Sequence, residues 1–188
     1  MITIKQFFEK MSPLKDEYWQ IFTSKLERRE FKNKSIILKQ GKTENYLSFI
    51  EEGVVRHYFP EIDNDITFDF SFEGVFFSAY KSFITQTPAE YNIQALTDVN
   101  ILSISFENLQ KVYHETPKGN MFGRFAAEGL YLNKFNRELA LLTKTAEERY
   151  LALFKEHPQL IKRIPLKYIA SYIGITPQAL SRIRKRIS

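Results

Sequence analysis

The sequence predicts an α+β chain: a β jelly roll or antiparallel barrel, then one long helix, then a small helical domain built on a helix-turn-helix. Three observations carry this. Residues 35–105 fall into short runs rich in Ile, Phe, Tyr and Val, separated by turn residues such as Gly41, Gly53, Pro60 and Gly74. Residues 117–144 keep apolar side chains at helical spacing without a break. Residues 164–188 hold two short amphipathic helices around Gly174-Ile175-Thr176. The expected units are 1–116, 117–144 and 145–188.

Taken in order, residues 3–27 read as helix, with Ile4, Phe7 and Phe8, then Ser12-Pro13 as a cap and start, then Leu14, Tyr18, Ile21, Phe22 and Leu26. The strand runs follow: SIILKQ, YLSFIEE, VVRHYF, DITFDFSF, VFFSAY, YNIQAL and VNILSIS. In the fourth, Ile66, Phe68, Phe70 and Phe72 alternate with Thr67, Asp69 and Ser71, the pattern of a half-buried strand. Phe106–Lys111 reads as a short connecting helix.

In the long helix Phe122, Phe125, Gly129, Leu132, Asn136, Leu139 and Thr143 recur at three-four spacing, a coiled-coil seam. Met121, Leu130, Phe135 and Leu142 form a second apolar face, so one face can pack on the barrel and the other on a twin. The alternative is a helix buried within its own domain. Thr145-Ala146-Glu147-Glu148 then opens another helix as a capping box; it carries Tyr150, Leu151, Leu153 and Phe154 and stops near His157-Pro158.

The first helix of the C-terminal pair carries Leu166, Ile169, Ala170 and Ile173, with Gly174 as its stop. The second starts at Thr176 as N-cap with Pro177 in the first turn, and Leu180, Ile183 and Ile187 make its inner stripe. Gln178, Ser181, Arg182 and Lys185 fall on one outward face, polar and largely cationic. Seven of the 27 Lys and Arg lie in residues 162–188, with no Asp or Glu among them, so the net charge of +5 is a local feature. A solvated basic face is the bland reading; this concentration of charge favours a duplex.

Composition narrows the classes. The chain has 188 residues, 44% hydrophobic, with 17 Phe and 10 Tyr, enough for an ordered core. No apolar run approaches a membrane span, and Lys and Glu interrupt the apolar pattern of the N-terminus, which does not read as a signal peptide. Zero cysteines remove disulfides, thiolate zinc sites and cysteine-held iron–sulfur clusters. A cytoplasmic location is expected. His57, His114 and His157 offer no paired ligand spacing, so neither a metal nor a catalytic residue is expected, and a metal-dependent jelly-roll enzyme is disfavoured. His57 is expected to be solvent-facing or satisfied.

This order of elements resembles the Crp–Fnr superfamily of bacterial transcription regulators. The most specific parts are TAEERYLALFKEHPQLI and IPLKYIASYIGITPQALSRIRK; the barrel matches by pattern. The resemblance implies a cyclic-nucleotide-binding-like jelly roll, a dimerisation helix, and a winged-helix-like domain with a reduced or absent wing. It implies a homodimer on a pseudo-palindromic duplex, RNA polymerase as a partner, and a small-molecule effector of unknown identity. Gln178, Ser181 and Arg182 would read bases, while Thr176, Arg184 and Lys185 would hold phosphates. Phe122, Phe125, Gly129, Leu132, Asn136 and Leu139 would form the dimer seam. Where the cyclic-AMP-binding branch carries a Gly-Glu pair and an Arg-Ser/Thr pair, this chain has Ser78-Ala79 and Ala89-Glu90. Lys134-Phe135 replaces the pair that touches adenine. Cyclic AMP is therefore not expected as the effector, and no cofactor is implied. An effector pocket, if formed, would use Phe77, Ser78, Tyr80, Tyr91 and Phe135, with Phe76 nearby; ordinary core is the alternative. Constitutive DNA binding, and a jelly-roll ligand module without DNA binding, are the alternative functions.

Overall fold

A computed structural model describes residues 3–10, 15–62, 64–116, 119–156, 158 and 164–187. Two helices come first, α1 (Ile4–Glu9) and α2 (Asp16–Thr23), where one helical stretch to residue 27 was expected. Leu26 instead begins strand β1 (Leu26–Phe31). Its charges meet water because β1 is an edge strand that pairs only with the last strand. The expected Ser12-Pro13 start and Leu14 lie outside the described residues.

Seven further strands follow: β2 (Ile36–Leu38), β3 (Tyr46–Glu52), β4 (Val55–Phe59), β5 (Ile66–Ser71), β6 (Phe76–Phe77), β7 (Asn92–Ala95) and β8 (Val99–Ser105). They form two antiparallel four-stranded sheets, β1-β8-β3-β6 and β2-β7-β4-β5, the two layers of a jelly roll. The run VFFSAY is strand for only two residues, because Tyr80–Thr85 turns into a short helix, α3. Helix α4 (Phe106–Glu115) is capped by the Ser105 hydroxyl, which accepts from Asn108 N at 3.1 Å.

Three apolar clusters hold the chain together. Leu38, Ile50, Val55, Phe77, Ile93 and Ile101 fill the space between the sheets. On the outer face of the first sheet, Leu47, Phe49 and Ile104 meet α1, α2, α4 and the start of α5 (Gly119–Thr143). Phe122 lies here, 1% exposed and stacked on Phe22 at 4.3 Å. Gly123 permits the approach of α4: a Cβ there would stand 1.7 Å from the Tyr113 hydroxyl. The third cluster joins Val54, Phe70 and Leu96, on the outside of the second sheet, to the C-terminal helices α6 (Ala146–Glu156), α7 (Leu166–Tyr172) and α8 (Pro177–Ile187).

The strict alternation expected of β5 does not survive this arrangement. His57 and Tyr58 face Asp69 and Thr67, which leaves Phe68 as the extra residue of a β-bulge. Thr67 and Phe70 are thereby both buried on the outer face, while Ile66 is exposed.

The expected seam of α5 also divides. Phe122 and Phe125 are buried in the protomer's own core and cannot belong to a contact with another chain. Met121 and Leu130 pack against the same core. Beyond Leu130 the helix is held to the rest of the protomer through polar side chains such as Lys134 and Arg137, and Tyr131, Leu132, Phe135, Leu139 and Leu142 are exposed along one face, Leu142 at 78%. Shaving a fully buried aromatic ring leaves a cavity as well as losing transfer energy. Phe122→Ala should therefore lower unfolding free energy by about 3–5 kcal/mol in urea denaturation at fixed protein concentration. A loss below ~1 kcal/mol would show that the stack with Phe22 is not a core contact.

Candidate nucleic-acid interface and sensor interior

The two C-terminal helices turn as their residues require. Helix α7 ends at Ile173, and Gly174 takes φ +79, with Gly174 N donating to Ser171 O and Ile175 N to Ala170 O, a Schellman closure. Helix α8 opens with the Thr176 hydroxyl accepting from Ala179 N at 3.2 Å. Ile169, Ala170, Ile173 and Leu180 are buried between the two helices and the barrel, and Ile183 packs against them. Two inner-stripe expectations fail: Leu166 and Ile187 are exposed, each at an outer helix end with no body beneath it.

The outward face is open. Gln178, Ser181, Arg182 and Lys185 are exposed, and their side chains make no hydrogen bond or ion pair among the described residues. Thr176 and Arg184 are exposed beside them. Arg186 is drawn back to pair with Glu147 of α6. Thr145 and Glu148 close the expected capping box: Thr145 N donates to Glu148 Oε2 at 2.7 Å, and Glu148 N to Thr145 Oγ1 at 3.2 Å. In α6, Tyr150 and Leu153 face the core while Leu151 and Phe154 are exposed; the expected stop at His157 lies outside the described residues.

Three arginines that the sequence reading did not single out fix this domain. Arg137 of α5 donates to Tyr172 O at 2.7 Å and stacks over the Tyr172 ring, 4.7 Å away. Arg149 of α6 donates through Nε and Nη2 to Ile173 O at 2.9 and 2.7 Å, and through Nη1 to Lys144 O. Both thus satisfy carbonyls at the C-terminal end of α7, where the helix leaves them unpaired and its dipole favours cations. Arg56 of β4 is 2% exposed; its Nη2 donates to Asp65 Oδ2 at 2.7 Å and its Nε to Gln94 Oε1 at 2.8 Å. Its guanidinium lies between the Tyr58 and Tyr168 rings, 3.7 and 3.8 Å from their centroids. An Arg inside the apolar run VVRHYF was the available signal, since a buried charge requires partners.

The residues expected to line an effector pocket do not converge. Phe77 and Tyr91 share His57 as a neighbour, at 6.1 and 6.0 Å between rings. Ser78 instead donates to Tyr46 O, Tyr80 stacks on Phe83, and Phe135 is exposed and stacks on Tyr131. Phe76, one residue from Phe77, points to the opposite side of β6 into the helix-facing cluster. A cleft of ≈ 560 Å³ lies elsewhere, between β5, the outer half of α5, α6 and α7, with Asn133, Arg137, Arg149 and Tyr172 in its wall.

His57 is neither solvent-facing nor fully satisfied. It is 2% exposed; Nε2 meets Ser71 Oγ at 3.0 Å, and Nδ1 has no partner. Burial, with a lesser contribution from the Lys134 charge, pulls its pKa down to about 4, against the pull of Asp69. Asp69 itself pairs with Lys134 Nζ at 2.6 Å, tying β5 to α5, and that ammonium lies over the Phe68 ring.

Residues 28–116 match the family model for a cyclic nucleotide-binding domain. The barrel has the fold of a cyclic nucleotide-binding domain. The whole chain has the architecture of the Crp/Fnr regulators. It is similar to the c-di-GMP-responsive global regulator CLP of Xanthomonas campestris, with TM-score 0.71 and 16% identity over 92% of this chain and 91% of that one. It is also similar to FixK2 of Bradyrhizobium japonicum, with TM-score 0.70 and 18% identity over 86% and 84%. A candidate transcriptional regulator of the crp/fnr family from Eubacterium rectale superposes with TM-score 0.66 and 16% identity over 96% and 87%. No curated protein sequence matches the chain.

A cyclic phosphate does not fit the residues present. At the start of α3 the Ala79 N–H lies toward the carboxylate of buried Glu44, which accepts from Tyr46 N at 3.0 Å. Burial raises the Glu44 pKa above the ordinary value despite these N–H groups. Nearby Glu90 pairs with Lys81 at 2.6 Å. An incoming phosphate would meet the carboxylates of Glu44 and Glu90.

The buried neutral His57 gives a pH test. Its folded pKa lies below the unfolded value, so the unfolded chain binds more protons between about 4 and 6.5, and stability falls as pH falls through that window. Wild type should lose roughly 1 kcal/mol more per pH unit than His57→Gln between pH 6 and 5 in urea denaturation. Parallel pH profiles for the two proteins would place the imidazole in contact with water.

Proposed function

We propose that the chain is a homodimeric, sequence-specific DNA-binding transcription regulator that cyclic AMP does not switch. The observation that carries this reading is the exposed face of α8, where Gln178, Ser181, Arg182 and Lys185 stand unpaired on a helix held rigidly from behind. Arg182 suits guanine O6 and N7, Gln178 suits adenine N6 and N7, and Ser181 accepts either role. Thr176, Arg184 and Lys185 hold phosphates and set register.

The second copy docks on the outer half of α5, through Leu132, Asn136 and Leu139 with Gly129 at its barrel end; Phe122 and Phe125 take no part. A water-exposed apolar stripe along one face of a helix is what a partner helix covers. Symmetry then presents two α8 helices to successive major grooves, with RNA polymerase as the downstream partner. Constitutive binding is the second reading, favoured by the Glu44 carboxylate that takes the place of an anionic effector at Ala79.

Selection of bound DNA from a random library should return a pseudo-palindrome. Arg182→Ala should relax preference at one position per half-site, costing roughly 1–3 kcal/mol there, while Lys185→Ala weakens all sequences alike. With about six phosphates neutralised, log K against log salt should have a slope near −5. Unchanged base preference in Arg182→Ala would refute the assignment. Leu139→Glu should yield a monomer in sedimentation, and a dimer that survives it would move the interface off α5.

A further inference from the structure

The clamp that joins the barrel to α7 is built on a strand whose two faces do different things. Along β4, Val55 and His57 point inward, Val55 into the cluster between the sheets and His57 against Phe68, Phe77 and Tyr91. Val54, Arg56 and Tyr58 point outward, Val54 into the cluster beneath the C-terminal helices, Arg56 against Tyr168, and Tyr58 against the other side of Arg56. All of Val55–Tyr58 is buried, so neither face has slack. The bulge continues the pattern on β5. Phe68 lies on the inner side with its ring 4.8 Å from that of Tyr91, while its neighbour Thr67 donates its N–H to Ser171 of α7 at 2.8 Å.

The buried guanidinium makes this contact all-or-none. Removing a charge from water costs several kcal/mol, recovered only where every partner is in place. Here the partners come from both sides of the joint: Asp65, Gln94 and Tyr58 from the barrel, and the Tyr168 ring from α7. A shift of β4 that parts Arg56 from Tyr168 would wet one face of the cation and loosen α7 in a step.

We propose that the β4–β5 pair is a direct line from the barrel interior to the DNA-reading helices: displacement of the aromatic interior around His57 and Phe68 is passed through Arg56 to Tyr168, without passing through α5. The relevance to DNA rests on the function proposed above; the mechanical coupling does not. The same mutual packing of neighbouring residues on opposite faces supplies the element whose position both ends bias.

Hydrogen–deuterium exchange on the full-length protein without DNA tests it, reading residues 166–172 against β3 and β8 as internal standards. Tyr168→Leu, which removes the ring but keeps apolar bulk, should speed exchange of α7 about tenfold and leave β3 and β8 unchanged. Tyr168→Phe, which keeps the ring, should stay within about twofold of wild type. Phe68→Leu, which loosens the interior and also removes the ring beneath the Lys134 ammonium of α5, should speed α7 exchange about threefold when Tyr168 is present and add nothing in the Tyr168→Leu background, the second result excluding a route through Lys134. An α7 indifferent to Phe68→Leu, a Phe68→Leu effect of equal size with and without the Tyr168 ring, Tyr168→Phe behaving like Tyr168→Leu, or acceleration shared by β3 and β8 would each overturn the proposal. A mobility-shift assay of the wild-type protein reports separately on DNA binding, so failure of the coupling and failure of the functional reading are distinguishable.

Discussion

One helix carries more apolar surface than its own chain can cover, and the rest of the molecule is arranged around that excess. Helix α5 runs 25 residues. Its first turns are sealed against Phe8 and Phe22, but past Leu130 the side chains of Leu132, Phe135, Leu139 and Leu142 meet water. A continuous apolar stripe along one helix face is unstable as a solvent-exposed surface. The proposed pairing with a second copy answers that constraint, and it sets where the two C-terminal domains stand, because two residues separate the end of α5 at Thr143 from the start of α6.

Cations determine how that domain is held. Arg137 and Arg149 occupy the carbonyl end of α7, Lys134 ties α5 to β5 through Asp69, and Arg56 bridges the barrel to Tyr168. The positive charges thus divide into two groups. Those drawn into the protein meet carbonyls, carboxylates and ring faces, and serve as fasteners. Arg182 and Lys185 of α8 have no such partners among the described residues and remain available to an external anion. Rigid fastening behind and unpaired charge in front is the combination that a base-reading helix needs, since each degree of freedom left in the helix would be lost again on binding.

Much of this was legible in the sequence. Helix caps are local chemistry, so Thr145-Glu148, Gly174 and Thr176-Pro177 were placed from the chain alone and behave in the structure as written. Strands with one dry face were found for the same reason. What escaped depended on distant neighbours. Strand β1, LERREF, hides its period because its side chains border water at a sheet edge. The division of α5 into a buried and an exposed half cannot be read from spacing, since Phe125 and Leu139 occupy equivalent positions in one repeat and differ only in what lies beside them. The bulge at Phe68 reversed the facing of half a strand. The pocket residues were grouped by sequence proximity to expected strand ends, and Phe135 lay on the exposed half of the helix.

The central claim is that α5 pairs two copies so that their α8 helices stand one turn of duplex apart. The chain has no cysteine, so a single change at exposed Ile187, Ile187→Cys, outside the residues proposed to touch DNA, places one nitroxide on each α8. Pulsed dipolar spectroscopy on that protein should give one dominant distance of about 34–36 Å, give or take the reach of the label, sharpening on addition of a selected duplex. Absence of dipolar modulation, or a distribution centred well beyond that separation and unmoved by DNA, would contradict the account.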